Sequence, residues 1–472
     1  MAEALFPPIT SRRSATFSLP LRRMSLVLAV LILLTTSFDI FLVINAGGNF
    51  RFCQIVSVLL LAFGVIKIIN GERARMLGSA PLCIWFLFQI LFIPTTSFWP
   101  KSAGYCLWLA LNLGLIYSFV QLFSADLHAL RTILRWYLYS FGIIAGFGII
   151  QLALPLLGLP AILVKQWWIA GSLPRVNGFS YEPSYFASYL LIGFVFAGSL
   201  RRARSNLLPA RMLLGIYCLT AIGIVISSSR MGIVFLLVDV FLSQVKPWLS
   251  FMSDFRRFRV VSHKIKPLFP SLISLACLSV LLGSGAAALR DNPSVMLMLL
   301  NGTGVSDTAA HSVIQREDSL EETIAVFLEH PLVGRSLGGV SSAIADREGE
   351  SIHSFEDSKD FEGMSVFAEI LAASGVIGFI PFLWFLVETV RKPLKLARHV
   401  SPFYSSLLRA LVRSLVFAWA ILQFNQNVLR PYLWAHLAIL LCVYAAAQRS
   451  IGPGQARCRV AASERTSQTL SQ

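Results

Sequence analysis

The sequence predicts an all-α polytopic membrane protein of about 12 transmembrane helices with one large loop on its outer side. Two observations carry that expectation. Long apolar runs recur from Met24 to Tyr444, and a hydrocarbon core takes about 20 mostly apolar residues per helical crossing. Lys and Arg gather in alternate loops between those runs, as the positive-inside rule requires. Composition agrees: 56% of the 472 residues are hydrophobic and 14% are charged, which is far too apolar for a soluble domain.

The runs lie at about residues 24–43, 52–69, 80–97, 103–123, 137–157, 183–200, 211–228, 231–246, 268–289, 364–388, 404–424 and 431–448. Arg12, Arg13, Arg22 and Arg23 precede the first run, which is too long for a cleaved signal and reads as a helix. With the N-terminus inside, the inner loops collect Arg73 and Arg75, then Arg131 and Arg135, then Arg201, Arg202, Arg204 and Arg211. The next inner loops hold Lys246, Arg256, Arg257, Arg259, Lys264 and Lys266, and then Arg391, Lys392, Lys395 and Arg398. Both termini are thereby expected in the cytoplasm. The organisation read from this is an N-terminal tail 1–23, helices one to nine in 24–289, an outer loop 290–363, helices ten to twelve in 364–448 and a C-terminal tail 449–472. Trp99, Trp108, Trp136, Trp167, Trp248 and Trp434 fall near run ends and read as an interfacial belt.

A net charge of +16 suggests nucleic acid at first sight, but the charges sit where membrane insertion wants them, so nucleic acid is excluded as a partner. The seven cysteines have no CxxC spacing and lie mostly in apolar runs, which reads as small core residues rather than disulfides or a metal site. His311, His330 and His353 match no metal template, and neither metal nor cofactor is expected. The runs show no internal repeat and no paired broken helices, which speaks against a transporter or flippase.

Two outer segments exceed what topology needs. In 158–181, the stretch 159–171 with paired Trp167 and Trp168 reads as a short interfacial helix. The loop 290–363 carries 14 of the 24 acidic residues. Ser319 with Glu322 reads there as a capping box opening a helix that Pro331 ends.

Every constellation able to carry chemistry falls on the outer side. The first is Arg175-Val-Asn-Gly178-Phe179-Ser-Tyr-Glu182-Pro183-Ser184. Gly178 permits a tight turn, Pro183 suits a first helical turn, Arg175 is a permanently charged donor for phosphate oxygens, and Glu182 is either a base or a helix cap. The second is Ser227-Ser228-Ser229-Arg230-Met-Gly232. Almost no loop separates the flanking runs, so Arg230 is forced to the membrane edge. An isolated Arg costs roughly 2.5–3.5 kcal/mol at a helix centre and less at the rim, so it needs an anionic partner. The third comprises Arg316, His330, Gly334, Arg335, Gly338 and Gly339, whose glycines allow close backbone approach. The fourth is Gln423-Phe-Asn425-Gln426-Asn427 with Arg430, where amides beside an aromatic suit sugar hydroxyls or cap a helix. Asp239, inside the eighth run, reads as a structural hydrogen-bond partner.

In order and spacing, these motifs resemble the O-antigen polymerase and ligase superfamily. The resemblance rests on Arg175-x-x-Gly178-Phe179-x-x-Glu182-Pro183-Ser184, Ser-Ser-Arg230-x-Gly232, Arg316 with Phe327-Leu-Glu-His330-Pro331-Leu-Val-Gly334, and Phe367-x-Glu369-x-Leu371-x-x-x-Gly375-Val-Ile-Gly378, and it covers about residues 25–445. It implies a GT-C-type glycosyltransferase of the bacterial inner membrane that acts, without a metal, on undecaprenyl-diphosphate-linked glycans in the periplasm. A flippase and a chain-length regulator are its candidate partners. The ligase branch carries His-Asn where this chain reads Met364-Ser365, so the polymerase branch is favoured over the ligase. In that reading Arg175 and Arg230 clamp the diphosphate and Glu182 is the base. Arg316, Arg335, His330, Asn425 and Asn427 bind substrate.

Overall fold

The computed structural model describes residues 19–45, 49–72, 74–255, 307–424 and 428–451. The run at 268–289, and with it the ninth expected helix, lies outside the described residues, as do Asn425 and Asn427.

The described chain is mostly helical. Its helices are α1 (Leu19–Thr35), α2 (Phe52–Ile69), α3 (Ser79–Leu91), α4 (Trp99–Phe123), α5 (Leu127–Leu156), α6 (Pro183–Arg202), α7 (Ala210–Ile226), α8 (Arg230–Phe255), α9 (Asp307–Glu329), α10 (Val340–Glu348), α11 (Val366–Leu396), α12 (Pro402–Ile421) and α13 (Pro431–Ser450). Two short hairpins join them: β1 (Val43–Asn45) with β2 (Asn49–Arg51), and β3 (Gln166–Ile169) with β4 (Leu173–Arg175). Among the described residues, seven helices are long and apolar enough to cross a membrane: α2, α4, α5, α6, α11, α12 with its 3₁₀ extension, and α13. α3 and α7 are shorter apolar helices.

α6 and α13 form the centre. Their apolar windows are 89% and 94% buried, against 39% for the peripheral α2. Small residues make this possible, because they let neighbouring helices approach closely. A Cβ on Gly193 of α6 would stand 2.3 Å from Phe141 of α5, and one on Gly198 would stand 2.8 Å from Tyr217 of α7. In α13, His436 is fully buried and binds two other helices, α5 through Tyr137 Oη at 2.8 Å and α12 through Leu411 O at 2.9 Å and Ser414 Oγ at 3.1 Å.

The chain direction places both hairpins at one end of the bundle. There Asp39, after α1, gives its backbone N–H to Phe179 O, before α6 (2.9 Å). At the opposite end Arg22 of α1 pairs with Asp126, the N-cap of α5. A cavity of about 530 Å³ opens at that end, and its cations are already matched, Arg22 by Asp126 and Lys67 by Glu72.

Several expectations need correction. Residues 159–171 form no helix. Trp167, Trp168 and Ile169 favour extended backbone, and Gly171, at φ +78°, turns the chain into the β3–β4 hairpin. The capping box at Ser319 is not a helix start, because α9 begins at Asp307 and Ser319 lies inside it. Trp434 is fully buried and donates to Val428 O, so it belongs to the core and not to an interfacial belt. The first helix ends at Thr35, short of the expected 43. The glycines of 334–339 approach the protein's own backbone. A Cβ on Gly334 would stand 2.5 Å from Ala372 O, and one on Gly338 would stand 3.0 Å from Lys101 O.

That approach follows from a break in α11. Gly375, at φ +56° and ψ −174°, interrupts the helix. The segment after α9 supplies the bonds the break removes. Arg335 and Ser336 N–H groups bind Ala372 O and Ala373 O, while Val376 and Ile377 N–H groups bind Pro331 O and Leu332 O. Irregular backbone beside a membrane is tolerated only where protein satisfies it in this way.

α8 is tied in by charge. Asp239, fully buried, accepts from Arg413 Nε of α12 at 2.8 Å and lies 3.6 Å from Arg202 Nη2 of α6.

Candidate active site

The turn 175–184 is fixed from below by Gln151 of α5. Its Oε1 accepts from the N–H groups of Asn177 (3.0 Å) and Gly178 (2.9 Å). Asn177, itself fully buried, gives its side-chain N–H to Ser180 O (2.7 Å) and Leu163 O (3.2 Å). Gly178 is left-handed (φ +57°), and a Cβ there would stand 2.7 Å from Phe186, so the expected tight turn is present and needs glycine. Phe179 stacks between Phe38 (4.3 Å) and Phe147 (4.0 Å), while its carbonyl binds Asp39 and Ile40 N–H. The motif therefore positions two things at once: its own charged residues, and Asp39 at the end of α1.

β4 presents Arg175. The register pairs it with Gln166, whose Oε1 accepts from Arg175 Nη1 at 3.0 Å, and the guanidinium lies 5.3 Å from the centre of the Trp168 ring. Its Nε is buried with no hydrogen-bond partner. Burial pulls the Arg175 pKa below that of an ordinary guanidinium. The Glu182 carboxylate opposes this, and the charges of Arg316 and Arg230 add to it. Four sequence-predicted residues, Arg175, Glu182, Arg230 and Arg316, thus share one electrostatic neighbourhood. They come from three separate segments, the 175–184 turn, the start of α8 and α9, and Arg316 is exposed on α9.

Glu182 occupies the N-cap of α6 but makes no side-chain cap bond. Its carboxylate instead accepts from Ser184 Oγ at 2.9 Å. Capping alone therefore does not account for it. Pro183 takes the first helical position, as expected. The second motif has a local logic of its own. Ser229 Oγ caps Gly232 N–H (3.3 Å), Ser228 is left-handed, and Gly232 lets α8 close on Ala187 of α6, where a Cβ would stand 2.8 Å away. Arg230 is thereby fixed at the first residue of α8. A cation is disfavoured by the dipole at a helix N-terminus, by about 0.3–1 kcal/mol.

No protein-family model matches the chain, and no curated protein matches it.

Arg335 and His330 sit elsewhere, beside the break of α11. Arg335 Nη1 donates to Thr95 O (3.0 Å) in the α3–α4 turn. Burial, with Arg335 nearby, holds His330 below the ordinary histidine range, which keeps its ring neutral near pH 7. In the fourth patch, Gln423 Oε1 accepts from Ser365 Oγ (2.9 Å) and Phe367 N–H (3.2 Å), so its amide caps α11.

A second polar zone adjoins the first, and the motif reading missed most of it. Arg430, 7% exposed, lies 3.4 Å from the centre of the Tyr185 ring and 3.4 Å from Asp39 Oδ2. Asp39 also takes Arg51 Nε at 2.7 Å. Lys101, 4% exposed, gives its Nζ to Ser358 O at 3.1 Å and lies 3.9 Å from Glu362. Tyr105 lies within reach of the charges of Glu362, Glu369 and Arg430, and Tyr185 within reach of Arg430, Glu182, Glu362 and Asp39. Glu182 therefore borders both zones. A charged residue inside the first apolar run was the available signal for Asp39, and one beside the fourth run for Lys101.

Proposed function

We propose that this chain is a membrane glycosyltransferase that polymerises undecaprenyl-diphosphate-linked oligosaccharide units into O-antigen, capsule or exopolysaccharide. In this reading twelve helices cross the bacterial inner membrane, both termini are cytoplasmic, and the hairpin end with the loop 290–363 faces the periplasm. One observation carries the proposal: Arg175, Arg230 and Arg316 share a neighbourhood with Glu182 at the hairpin end. Three guanidinium groups there outnumber the one carboxylate among them, and a diphosphate offers the oxygens that such donors bind.

The acceptor hydroxyl oxygen attacks the anomeric carbon of the lipid-linked donor. The anomeric C–O bond to the diphosphate breaks, and its electron pair leaves on the diphosphate. The hydroxyl proton passes to Glu182. Arg175 and Arg230 stabilise the charge that grows on the leaving group, and they do so before the bond breaks because the turn and the helix start already hold them. Arg316 adds charge from α9.

The test is glycan size profiling in cells that lack the gene and carry a variant instead. Arg175→Lys keeps the charge and loses the bidentate fork. It is expected to insert at normal levels and to make at least tenfold less long polymer. Normal polymer from that variant overturns the clamp. Deletion that accumulates lipid-linked long polymer, rather than abolishing it, identifies the ligase reaction instead.

A further inference from the structure

We infer that the second polar zone, formed by Tyr105, Tyr185, Glu362 and Glu369 around Arg430, is the subsite for the acceptor sugar, and that it takes an uncharged, hydroxyl-rich sugar rather than an acidic one. This rests on the glycosyl-transfer reading and extends it.

The first zone is cationic and suits the donor diphosphate. The second is chemically different. Its carboxylates, Glu362 and the 9%-exposed Glu369, only accept hydrogen bonds when ionised, so they recognise sugar O–H groups. Tyr105 supplies apolar ring area for the C–H face of a sugar and a phenol that hydrogen-bonds a sugar hydroxyl, while Arg430 already covers one face of the Tyr185 ring. A sugar also needs a donor for its oxygen lone pairs. Arg430 Nε meets that need, because it is buried and has no hydrogen-bond partner.

The cations of this zone already have carboxylates, Lys101 through Glu362, and Arg430 and Arg51 through a shared Asp39. An acidic sugar would bring a further negative charge among Asp39, Glu182, Glu362 and Glu369, and like charges brought together exclude a ligand. Glu182 lies between the zones, where it can take the proton of a hydroxyl held on one side as the leaving group departs on the other. The acidic segment 356–362 contributes through Glu362 and is fastened to α4 by the Lys101 contact with Ser358 O.

The experiment uses the full-length protein in nanodiscs with farnesyl diphosphate as probe, together with glycan profiles from cells. Arg175→Ala is expected to weaken diphosphate binding at least tenfold. Glu369→Gln and Tyr105→Phe are expected to bind the probe within about twofold of the parent, yet to make at least tenfold less long polymer. Thermal unfolding checks each variant, and Tyr105→Phe decides the matter if Glu369→Gln fails to fold. Normal polymer from Tyr105→Phe, or a tenfold loss of probe binding by either acceptor variant, overturns the inference. Linkage analysis of the natural polymer supplies the second arm. The sugar that receives the inter-repeat bond is expected to be uncharged, and a uronic or other acidic sugar there overturns the inference. Full probe binding and polymer from Arg175→Ala would instead sink the glycosyltransferase reading itself.

Discussion

Glu182 shows what one residue does and does not disclose in sequence. Its place before Pro183 reads equally as a helix cap or a base. In the structure the carboxylate turns to Ser184 and leaves the α6 backbone uncapped. The side chain that borders both polar zones is expected to depend on charge as well as shape. Glu182→Gln keeps the shape and the Ser184 contact while removing the proton acceptor, so it should lose at least a hundredfold in turnover, within the range general bases supply. Glu182→Asp keeps the carboxylate on a shorter arm and should retain part of the activity. Single-turnover transfer assays on purified protein check the order, and full turnover by Glu182→Gln would reduce the residue to a structural one. Other residues were fully legible. Gly178 had to be glycine for its turn, and it is left-handed and packed on Phe186. Arg430 was legible as a polar residue but not in its role, since its stack on Tyr185 joins residues about 245 positions apart, beyond any local pattern.

At the scale of elements, hydropathy found the helices and missed how their ends and breaks are built. Apolar runs at 52–69 and 103–123 became α2 and α4 with small shifts, because burying backbone polar groups inside a helix leaves few other solutions in lipid. The β3–β4 hairpin was misread because two tryptophans fit an interfacial helix as well as a strand. The break at Gly375 was invisible because the bonds that satisfy it come from Pro331–Ser336, which only folding brings alongside. Asp239 was expected to have a polar partner, and it has ionic ones. α8 is anchored by its contact to Arg413, a cation in the middle of the eleventh run. Asp239→Leu strands both Arg413 and Arg202 and should cost about 3 kcal/mol, whereas Arg413→Met leaves Asp239 its contact with Arg202 and should cost less. The double variant should recover part of the Asp239→Leu loss, because it removes one of the two stranded cations. Thermal unfolding in detergent reads the cycle, and strictly additive losses would show that the pair does not couple.

For the molecule as a whole, the site exists because chain alternation brings remote segments to one end of the bundle. Asp39 closes α1, Arg175 closes a hairpin, Arg230 opens α8, Arg316 lies in α9 and Arg430 precedes α13. The positive-inside pattern already set Arg175, Arg230, Arg316 and Arg430 apart from the basic loops, so the end where they gather was legible in the sequence, while Asp39 and the division into two zones were not. Which end faces the periplasm decides the chemistry, because lipid-linked donors carrying finished repeat units are expected only there. α6 links the two ends and provides a direct test. Its 20 residues span about 30 Å, enough to cross a hydrocarbon core. Tyr181, before it, is 60% exposed, and Asn206, after it, is also exposed. In a background whose cysteines, including the exposed Cys83 and Cys218, are replaced, Tyr181→Cys should react with a membrane-impermeant maleimide on intact spheroplasts. Asn206→Cys should react only after lysis. The reverse pattern would put the guanidinium cluster in the cytoplasm, where the proposed polymerisation has no donor to act on.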